Sequence, residues 1–403
     1  MNEIIVQKFG GTSVGSVERI DAVAEIIKKA SQSNRIVVVV SAMGGETNKL
    51  VNLAKNFSDN PDKREFDALV ATGETVSSAL LAMALHSKGL KAKSYSASQI
   101  SMRTTDSFSK AKILDVDAKK ILQVLEEDTI PIITGFQGIT ETGDVTTLGR
   151  GGSDTTAVAI AAQVKAERCD IYTDVDGIYT TDPKIVPNAK KLDSITMEEM
   201  LELAGQGAKV MQTRAVEFAN KYKVPVRVLS SFNDGKGTLI SLKEDTMENA
   251  LVSGIASQKN QVKFTLHGVG DIPGTAYKIL GPISDAEVEV DVIVQNVSVD
   301  GKTDFTFTVS SEDQGTVNKV IQEINDVEYR ELLVNSDIAK VSLVGVGMRS
   351  QAGVASRAFK ALSEKDVNIQ IICTSEIKIT MVIDESLVDK AVKVLHEEFE
   401  LDK

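Results

Sequence analysis

The segment Arg150-Gly151-Gly152-Ser153-Asp154 joins an apolar strand pattern to an apolar helix pattern. It brings a guanidinium, two positions without side chains, a hydroxyl and a carboxylate to one strand-to-helix corner. In open α/β sheets such corners bind ligands, because helix N-terminal amides and strand ends converge there. The segment therefore predicts an α/β sheet with a ligand site at its edge.

Further apolar strand patterns, each followed by a polar or glycine-rich loop and a helical pattern, lie on both sides of this corner. Residues 4–9 lead into the first such loop, and residues 36–42 are apolar on both faces, as a central parallel strand must be. The same arrangement recurs at Tyr95, 130–134, 170–173 and 226–229. This alternation predicts a mainly parallel sheet with helices on both faces.

The C-terminal part of the chain has a different organisation. A polar stretch at 243–249 predicts a domain boundary, and beyond it the sequence repeats itself. Gly274-Thr275-Ala276 aligns with Gly353-Val354-Ala355, and 288–293 aligns with 367–372 in the same register. We therefore predict two copies of a small ferredoxin-like βαββαβ module.

The composition limits the class of protein and of partner. With 403 residues, 42% hydrophobic and 25% charged, the chain is typical of a globular protein with more than one domain. A formal net charge of −12 argues against nucleic acid or an anionic membrane surface as the main partner. Cys169 and Cys373 lack metal-ligand spacing, and no signal peptide or membrane-spanning run is recognisable, so a cytoplasmic location is expected. His86, His267 and His396 occur in unrelated contexts and are expected at surface or helix-face positions.

The loop Lys8-Phe9-Gly10-Gly11-Thr12-Ser13 has neither the Walker A spacing nor that of a dinucleotide fold. Its adjacent glycines nevertheless allow backbone N–H groups to approach phosphate oxygens, and the following helix and the lysine add positive charge. A tight turn with a solvated lysine explains the loop equally well.

The loops after the other strands favour a phosphate site. They carry several hydroxyls, the basic side chains of Lys8 and Arg150, and carboxylates, and each loop taken alone could be an ordinary turn or helix cap. Together at one sheet edge, they suit a phosphate donor, a Mg²⁺ ion and a small zwitterionic acceptor.

Along nearly its whole length the sequence resembles the aspartate kinases of the amino-acid kinase family. The motifs that carry the resemblance are K-F-G-G-T-S-V from Lys8, V-S-A-M around Ser41, T-G-E from Thr72, G-F-Q-G from Gly135, T-L-G-R-G-G-S-D from Thr147, T-D-V-D-G-I-Y-T-T-D-P from Thr173 and G-A-K-V from Gly207. The resemblance implies an αβα-sandwich kinase domain at 1–245, followed by ACT modules at 250–330 and 335–403, with a strand at 251–256 completing the second module. It also implies a Mg²⁺-dependent transfer of the ATP γ-phosphate to the β-carboxylate of L-aspartate, the first step of lysine, threonine and methionine biosynthesis.

The resemblance also implies roles for individual residues. Those implied to meet ATP are Lys8, Phe9, Gly10, Gly11, Ser13, Thr173, Asp174, Tyr179, Asp182 and Lys209. Those implied to hold aspartate are Ser41, Thr47, Glu74, Arg150, Gly151, Gly152, Ser153 and Asp154. The catalytic residues would be Lys8 and Asp154, with Asp154 facing either the substrate ammonium or Lys8, and Ser153 is expected to cap the following helix.

The aspartate kinase chemistry implied here needs no general base. The β-carboxylate of aspartate, with a pKa near ~4, is already an anion at neutral pH. The obstacle is the approach of one anion to another, so catalysis is expected to rest on charge neutralisation and in-line positioning. Arg150 would grip a substrate carboxylate with its planar fork, and Glu74 would pair with the ammonium.

For the ACT modules, the resemblance implies an effector amino acid, lysine and/or threonine, at a site between the modules. The candidate contacts are Asp271, Gln295, Asn368, Ile369, Ser375 and Glu376. The second turn has Gln351-Ala352-Gly353 where the family commonly has proline before glycine, which weakens the expectation for the second module. The alternative is that both modules serve only to form a homo-oligomer.

Three further alternatives remain at this stage. Another carboxylate kinase of the superfamily, such as one acting on N-acetylglutamate, is disfavoured by the ACT modules and by Glu74 with Arg150. A catalytically silent amino-acid sensor is disfavoured by the presence of Lys8, Asp154, Asp174 and Asp182. Met247 could start a separately translated regulatory subunit, as in some relatives.

Overall fold

The chain forms two compact units. The computed structural model describes residues 3–208, 210–242, 251–296, 301–349 and 351–403. The first unit comprises Met1–Tyr179 and Lys191–Met247, and the second comprises Thr180–Lys190 and Glu248–Lys403. The segment Thr180–Lys190, which falls inside the predicted first domain, therefore belongs to the second unit. The predicted boundary at 245–250 and the predicted start at Met247 lie outside the described residues.

The first unit alternates strands and helices along most of its length. Its elements are β1 (Ile4–Phe9), α1 (Val17–Ser31), β2 (Arg35–Val40), α2 (Glu46–Lys55), α3 (Lys63–Val70), α4 (Thr72–Ser87), β3 (Ala92–Tyr95), β4 (Arg103–Thr104), β5 (Ile113–Asp115), α5 (Ala118–Glu126), β6 (Ile130–Thr134), β7 (Gln137–Ile139), β8 (Val145–Thr147), α6 (Gly152–Gln163), β9 (Arg168–Thr173), β10 (Ser194–Thr196), α7 (Met197–Gly205), α8 (Thr213–Tyr222), β11 (Val226–Ser230) and β12 (Thr238–Ser241).

The main sheet of this unit has the order β10-β12-β11-β9-β1-β2-β6-β3, and every pair except β11 with β12 is parallel. Ile5 and Phe9 of β1 lie in a buried cluster with α1 and α4. Lys8 contacts Asp154 of α6 instead. Because side chains alternate between the faces of a strand, α6 covers the opposite face. The predicted mainly parallel sheet with helices on both faces is thus confirmed.

A second, four-stranded sheet of order β5-β4-β7-β8 leads to the corner at 150–154. The sequence patterns predicted a strand before the corner, which is β8, but not a second sheet, because its strands have only two or three residues each. Such short strands carry too few side chains to display a period of two.

One segment, Lys63–Ser87, is long and apolar enough to cross a membrane by length and composition, with a mean hydropathy of 1.5 in its most apolar window. It comprises two helices, α3 and α4, which meet at Ala71. Half of that window is buried inside the folded protein, and Asp67 and Glu74 lie within the segment. We therefore assign it to the core of the first unit.

The second unit contains the predicted repeat. Its elements are β13 (Gly254–Gly270), α9 (Thr275–Asp285), β14 (Asp291–Gln295), β15 (Lys302–Ser310), α10 (Gln314–Glu323), β16 (Glu331–Val344), α11 (Val354–Ser363), β17 (Ile371–Thr374), β18 (Lys378–Asp384) and α12 (Val388–Glu398). They form one six-stranded antiparallel sheet of order β14-β15-β13-β16-β18-β17.

The two repeats share the long central strands of this sheet. The start of β13, Gly254–Gln258, pairs with residues 340–344 of β16, the first strand of the second repeat. The later part of β13 pairs with β15 and with the start of β16. Each repeat nevertheless has its own buried cluster, one around Phe264 and Phe307 and the other around Val341 and Leu395. The fold is therefore two ferredoxin-like modules joined edge to edge.

The segment Thr180–Lys190 is integrated into the core of the second repeat. Val186 lies in the buried cluster of that repeat, and the N–H of Ile255 donates to the carbonyl of Thr180 at 2.7 Å. The hydroxyl of Thr180 lies 3.0 Å from Nε2 of His396, which is only 2% exposed. His396 is thus a buried residue of α12 rather than a surface one.

This burial predicts a pH dependence for the second unit. Burial lowers the pKa of His396 below its usual value of 6.5, so the folded unit holds the imidazole neutral. When the pH falls below ~6.5, the unfolded chain binds the proton first and the free energy of unfolding decreases. We expect urea denaturation of the second unit at pH 5.5 to have a lower midpoint than at pH 7.5. His396→Gln should reduce this difference, and an unchanged difference would assign it to another group.

Candidate active site

The carboxyl ends of five strands meet at one edge of the main sheet. β1, β2, β6, β9 and β11 run parallel, so the loops that follow them emerge on the same side. Lys8 is the penultimate residue of β1, Ser41 follows β2, and Thr173 ends β9. The N-terminal turns of α4 and α6 add Glu74 and Asp154. This edge is where open α/β sheets bind their ligands.

A buried ion pair occupies this edge. Lys8 Nζ lies 2.6 Å from Asp154 Oδ1, and each side chain is 11% exposed. A buried pair is retained only when its geometry is good, because removing two charges from water costs several kcal/mol per ion. In this structure Asp154 thus contacts the Lys8 ammonium, which is the arrangement that the second of its two implied roles requires.

The glycines beside this pair allow two loops to approach closely. A Cβ on Gly11 would lie 3.0 Å from the carbonyl oxygen of Ala42, and one on Gly15 would lie 3.3 Å from the carbonyl of Gly11. A Cβ on Gly10 would lie 3.4 Å from the Lys8 ammonium. The backbone of the 10–15 loop thus stays accessible next to a fixed positive charge, as a phosphate site requires.

Two of the residues implied to meet ATP are buried through their side chains. Phe9 is fully buried and stacks on Tyr172 with ring centroids 4.7 Å apart. Ser13 is also fully buried, and its hydroxyl accepts a hydrogen bond of 2.8 Å from Ser231. In this structure both side chains support the loop rather than face the site.

At the corner itself, glycine is required by the backbone. Gly151 has φ of +67°, and a Cβ there would lie 1.9 Å from Cγ of Gln212. Gly152 opens α6, and a Cβ there would lie 2.8 Å from the ring of Phe136. Ser153 does not cap the helix as expected, because the N-cap is Gly151. Its side chain lies where a Cβ on Gly135 would point, because such a Cβ would be 2.7 Å from the Ser153 Oγ.

We expect Gly151→Ala to raise the KM for the substrate that the resemblance implies at this corner and to destabilise the first unit, since it adds both backbone strain and a collision with Gln212. Gly143→Ala is the matched control, because Gly143 has φ of +89° but no atom of the described residues lies within 4 Å of the position that a Cβ would occupy. The control should cost only ~1 kcal/mol of unfolding free energy from strain. Equal effects of the two variants on KM and on thermal denaturation would contradict the steric explanation.

Glu74 is a buried carboxylate with one free oxygen. It is 3% exposed, and the N–H of Ala42 donates to its Oε1 at 3.1 Å, while Oε2 has no partner among the described residues. Burial raises the pKa of Glu74 to about 7, and the hydrogen bond from Ala42 only partly offsets this effect. When ionised, this buried carboxylate needs a cationic partner, and the ammonium of a ligand would supply one.

Arg150 and Thr47 are more accessible than Glu74. Arg150 is exposed, and no carboxylate in the described part of the chain pairs with it. Thr47 is half-buried in the first turn of α2, which begins after Gly45. Ser41 is half-buried, and its carbonyl accepts a hydrogen bond of 2.7 Å from Ser77 of α4. Arg150 thus offers, at the same corner as Asp154, a guanidinium without a carboxylate partner among the described residues.

The residues after β9 are less closely grouped. The Thr173 hydroxyl donates to Asp174, and the Tyr179 hydroxyl donates to Asp176 at 2.8 Å. Asp182 belongs to the second unit and accepts the N–H of Lys184, as a residue that starts a turn does. Lys209 lies outside the described residues.

The implied effector residues are distributed over both repeats. In the first repeat, the amide of Gln295 points to Asp271 Oδ1 at 3.4 Å. In the second, Asn368, Ser375 and Glu376 are exposed, and Ile369 is half-buried. Glu376 forms an ion pair of 3.3 Å with Arg349, ahead of the Gln351-Ala352-Gly353 turn.

Sequence reasoning missed three side chains that hold the loops of this site. Asp67 of α3 and Arg214 of α8 bind the segment that ends at the corner. Gln137 accepts a hydrogen bond of 3.0 Å from Thr134 and donates to the carbonyl of Ala71, where α4 begins. The available signal was a charged or amide residue inside an apolar pattern, which is unusual unless its polar atoms are satisfied.

Other features of the first unit do not mark the site. A cavity of about 510 Å³ lies on a sheet face beside α1, lined by residues such as Gln7, Asp170 and Arg227. Its lining includes neither Lys8 nor Glu74. Among the described residues, no cluster of three or more His, Cys, Asp or Glu side chains is arranged to hold a metal ion.

Comparison with known proteins identifies the family. Residues 3–230 match the amino acid kinase family, and residues 341–399 match an ACT domain. An aspartate kinase of Stutzerimonas stutzeri (strain A1501) is 56% identical over 402 residues, covering 99% of this chain and 98% of the relative. The crystal structure of E. coli aspartokinase III with aspartate and ADP in the R-state is 28% identical, with a TM-score of 0.84, covering 98% of this chain and 99% of that one. The T-state structure of that enzyme, with lysine and aspartate, is 29% identical, with a TM-score of 0.77, covering 98% and 99%. The chain therefore belongs to the amino acid kinase family and is one of its aspartate kinases, enzymes that transfer the γ-phosphate of ATP to the β-carboxylate of L-aspartate.

Proposed function

We propose that the Lys8–Asp154 pair at the strand ends of the first unit carries the phosphoryl transfer of this aspartate kinase. The observation that supports this most directly is the buried 2.6 Å contact between the two side chains, beside the glycine loop at 10–15. Lys8 would neutralise charge on the transferring phosphoryl group, and Asp154 would hold the ammonium in place. No residue needs to remove a proton, because the acceptor carboxylate is already ionised.

For the substrate, we assign Arg150 to a carboxylate of aspartate and Glu74 to its ammonium. The free Oε2 of Glu74 and the exposed guanidinium of Arg150 are the groups of opposite charge that a zwitterion requires. Ser41, Thr47 and the backbone of Gly151 and Gly152 would complete the site. An acylated amino group could not pair with Glu74, so we expect trapping of an acyl phosphate by hydroxylamine with L-aspartate but not with N-acetylglutamate.

We assign ATP to the loop at 8–13 and to Thr173, Asp174 and Tyr179. Mg²⁺ would accompany the nucleotide phosphates, since Mg²⁺ usually keeps several waters and binds one or two carboxylates plus phosphates. Asp174 is exposed after the end of β9 and is available for this. Asp182 and Lys209 remain candidates for nucleotide contacts on the family resemblance alone.

The second unit, in our proposal, binds lysine and/or threonine as feedback effectors. Support comes from the similarity to a T-state aspartokinase structure that contains lysine, and from the proximity of Asp271 and Gln295. We expect millimolar lysine, threonine or both to lower activity and to raise the melting temperature. If neither amino acid changes activity or melting temperature, the modules serve assembly alone.

We further propose that the enzyme is a cytoplasmic homo-oligomer that assembles through its ACT modules. Large apolar side chains are exposed at equivalent strands of the two repeats, Ile293 on β14 and Ile372 on β17, and Tyr277 of α9 is also exposed. Both cysteines are free, which is consistent with a cytoplasmic location.

Light scattering of the purified enzyme should give a mass above that of one chain. A single full-length band from native enzyme would argue against a separate subunit starting at Met247.

A further inference from the structure

Two charged side chains of opposite sign, one fully buried and one half-buried, bridge the same two loops of the first unit. We define the corner loop as residues 147–151 and the adjoining loop as residues 105–112. Asp67 is fully buried on α3 and reaches both loops. Arg214, half-buried on α8, also reaches both loops. The two side chains lie on helices that sequence analysis did not connect with substrate binding.

Asp67 accepts four hydrogen bonds. Its Oδ2 accepts the backbone N–H of Ser109 at 2.8 Å and that of Thr147 at 2.7 Å. Its Oδ1 accepts the hydroxyl of Ser109 at 3.1 Å and that of Thr147 at 2.9 Å. A carboxylate offers about four lone-pair positions, so these bonds nearly saturate it and fix its orientation.

Arg214 binds the carbonyl groups of the same two loops. Its Nη1 donates to the carbonyl of Leu148 at 2.7 Å, and its Nη2 donates to that of Ala111 at 2.8 Å. The N–H of Ala111 in turn donates to the carbonyl of Thr147 at 3.0 Å. Asp67 thus accepts from the donor groups of the two loops, and Arg214 donates to their carbonyl groups. These bonds restrict the backbone at the start of the corner loop.

This arrangement fixes the position of the Arg150 backbone. Only Leu148 and Gly149 separate Thr147 from Arg150, and the N–H of Gly152 donates to the carbonyl of Gly149 at 3.0 Å. The backbone of Arg150 is therefore held between a fixed strand end and the first turn of α6. A displacement of ~1 Å at a substrate-gripping group can cost on the order of 10²-fold in rate.

We propose that Asp67 and Arg214 are positioning residues that set the affinity for aspartate by fixing the corner loop. This inference rests on the proposed role of Arg150 and goes beyond it, because neither Asp67 nor Arg214 needs to touch the substrate. A purely structural pair would affect folding alone, whereas a positioning pair affects the KM for aspartate more than the KM for ATP.

The test compares the steady-state kinetics of graded variants. Asp67→Asn keeps the shape but turns an acceptor into a donor, and we expect the KM for aspartate to rise roughly tenfold or more while the KM for ATP changes less than about twofold. Thr147→Val should raise the KM for aspartate by a smaller factor. Thr147→Ser keeps the hydroxyl, so its KM for aspartate should equal that of the unmodified enzyme. The matched control is Asp144→Asn. It makes the same chemical change just before β8, where Asp144 forms a more exposed ion pair with Arg64 of α3.

The result that overturns the proposal is an aspartate KM in Asp67→Asn and Thr147→Val equal to that of the unmodified enzyme or of Asp144→Asn. Thr147→Val keeps the test decisive should Asp67→Asn fail to fold. Arg150→Gln separates the two hypotheses. If it leaves the KM for aspartate unchanged, the role of Arg150 is wrong; if it raises this KM and the Asp67 and Thr147 variants do not, only the positioning role is wrong.

Discussion

Replacing Lys8 with alanine is expected to lower kcat by on the order of 10³-fold while the KM for aspartate changes by less than about threefold. The reason is the charge of the reactants. The acceptor and the γ-phosphate are both anions at neutral pH, and no proton needs to leave the nucleophile. A positioned cation is therefore the main contribution of the protein to catalysis.

The same substitution leaves Asp154 as an unpaired buried carboxylate, which typically costs ~3–5 kcal/mol of unfolding free energy. A low kcat could therefore reflect loss of the fold. In the double variant Lys8→Ala/Asp154→Ala the unpaired charge is gone, so thermal denaturation should recover while kcat stays low. Lys49→Ala, at an exposed lysine of α2 paired with Glu46, is the control and should change neither quantity. A Lys8→Ala enzyme that keeps most of its turnover would refute the assigned role.

Sequence reasoning located the edge of the site because strand-loop-helix alternation has a strong signature. β1 and β6 begin and end where the apolar patterns predict, and parallel strands bring their following loops to one side. Lys8 could be assigned to this edge from the rule alone, whereas Asp154 follows β8 of the second sheet, which the rule does not cover. Their contact stayed one of two options for Asp154, because a sequence does not fix how α6 lies against β1.

The loop supports escaped prediction for a different physical reason. Asp67 bonds mainly to residues 42 and 80 positions away, and half of its bonds are to backbone N–H groups, which every sequence contains. No residue type at positions 109 or 147 signals such a partner. Likewise, Thr180–Lys190 carries a motif attributed to the nucleotide site, yet Val186 packs with the second repeat, and motif recognition contains no information on packing.

Glu74→Gln should remove the decrease in kcat/KM for aspartate that is expected on the acid side of the pH profile. Burial raises the pKa of Glu74 to about 7, so the free enzyme loses the carboxylate as the pH falls below that value. Because the substrate ammonium needs the ionised form, we expect kcat/KM for aspartate to fall about tenfold per pH unit on the acid side. At pH 8 the glutamine variant should lose roughly 10²-fold in kcat/KM, as expected when one partner of a buried charge pair is removed.

The same ionisation links stability to substrate. A folded-state pKa above the unfolded value of 4.5 gives stability that is present below about 4.5 and lost as the pH rises through about 7, because the ionised carboxylate is then buried without a cation. Aspartate supplies that cation, so the rise in melting temperature on adding aspartate should be larger at pH 8 than at pH 6, and Glu74→Gln should abolish the difference. Glu199→Gln is the matched control: Glu199 is similarly buried, but its carboxylate accepts the N–H of Thr196 in the capping box of α7, where glutamine also serves. An acid limb that persists in Glu74→Gln would assign the ionisation, and with it the recognition of the ammonium, to another group.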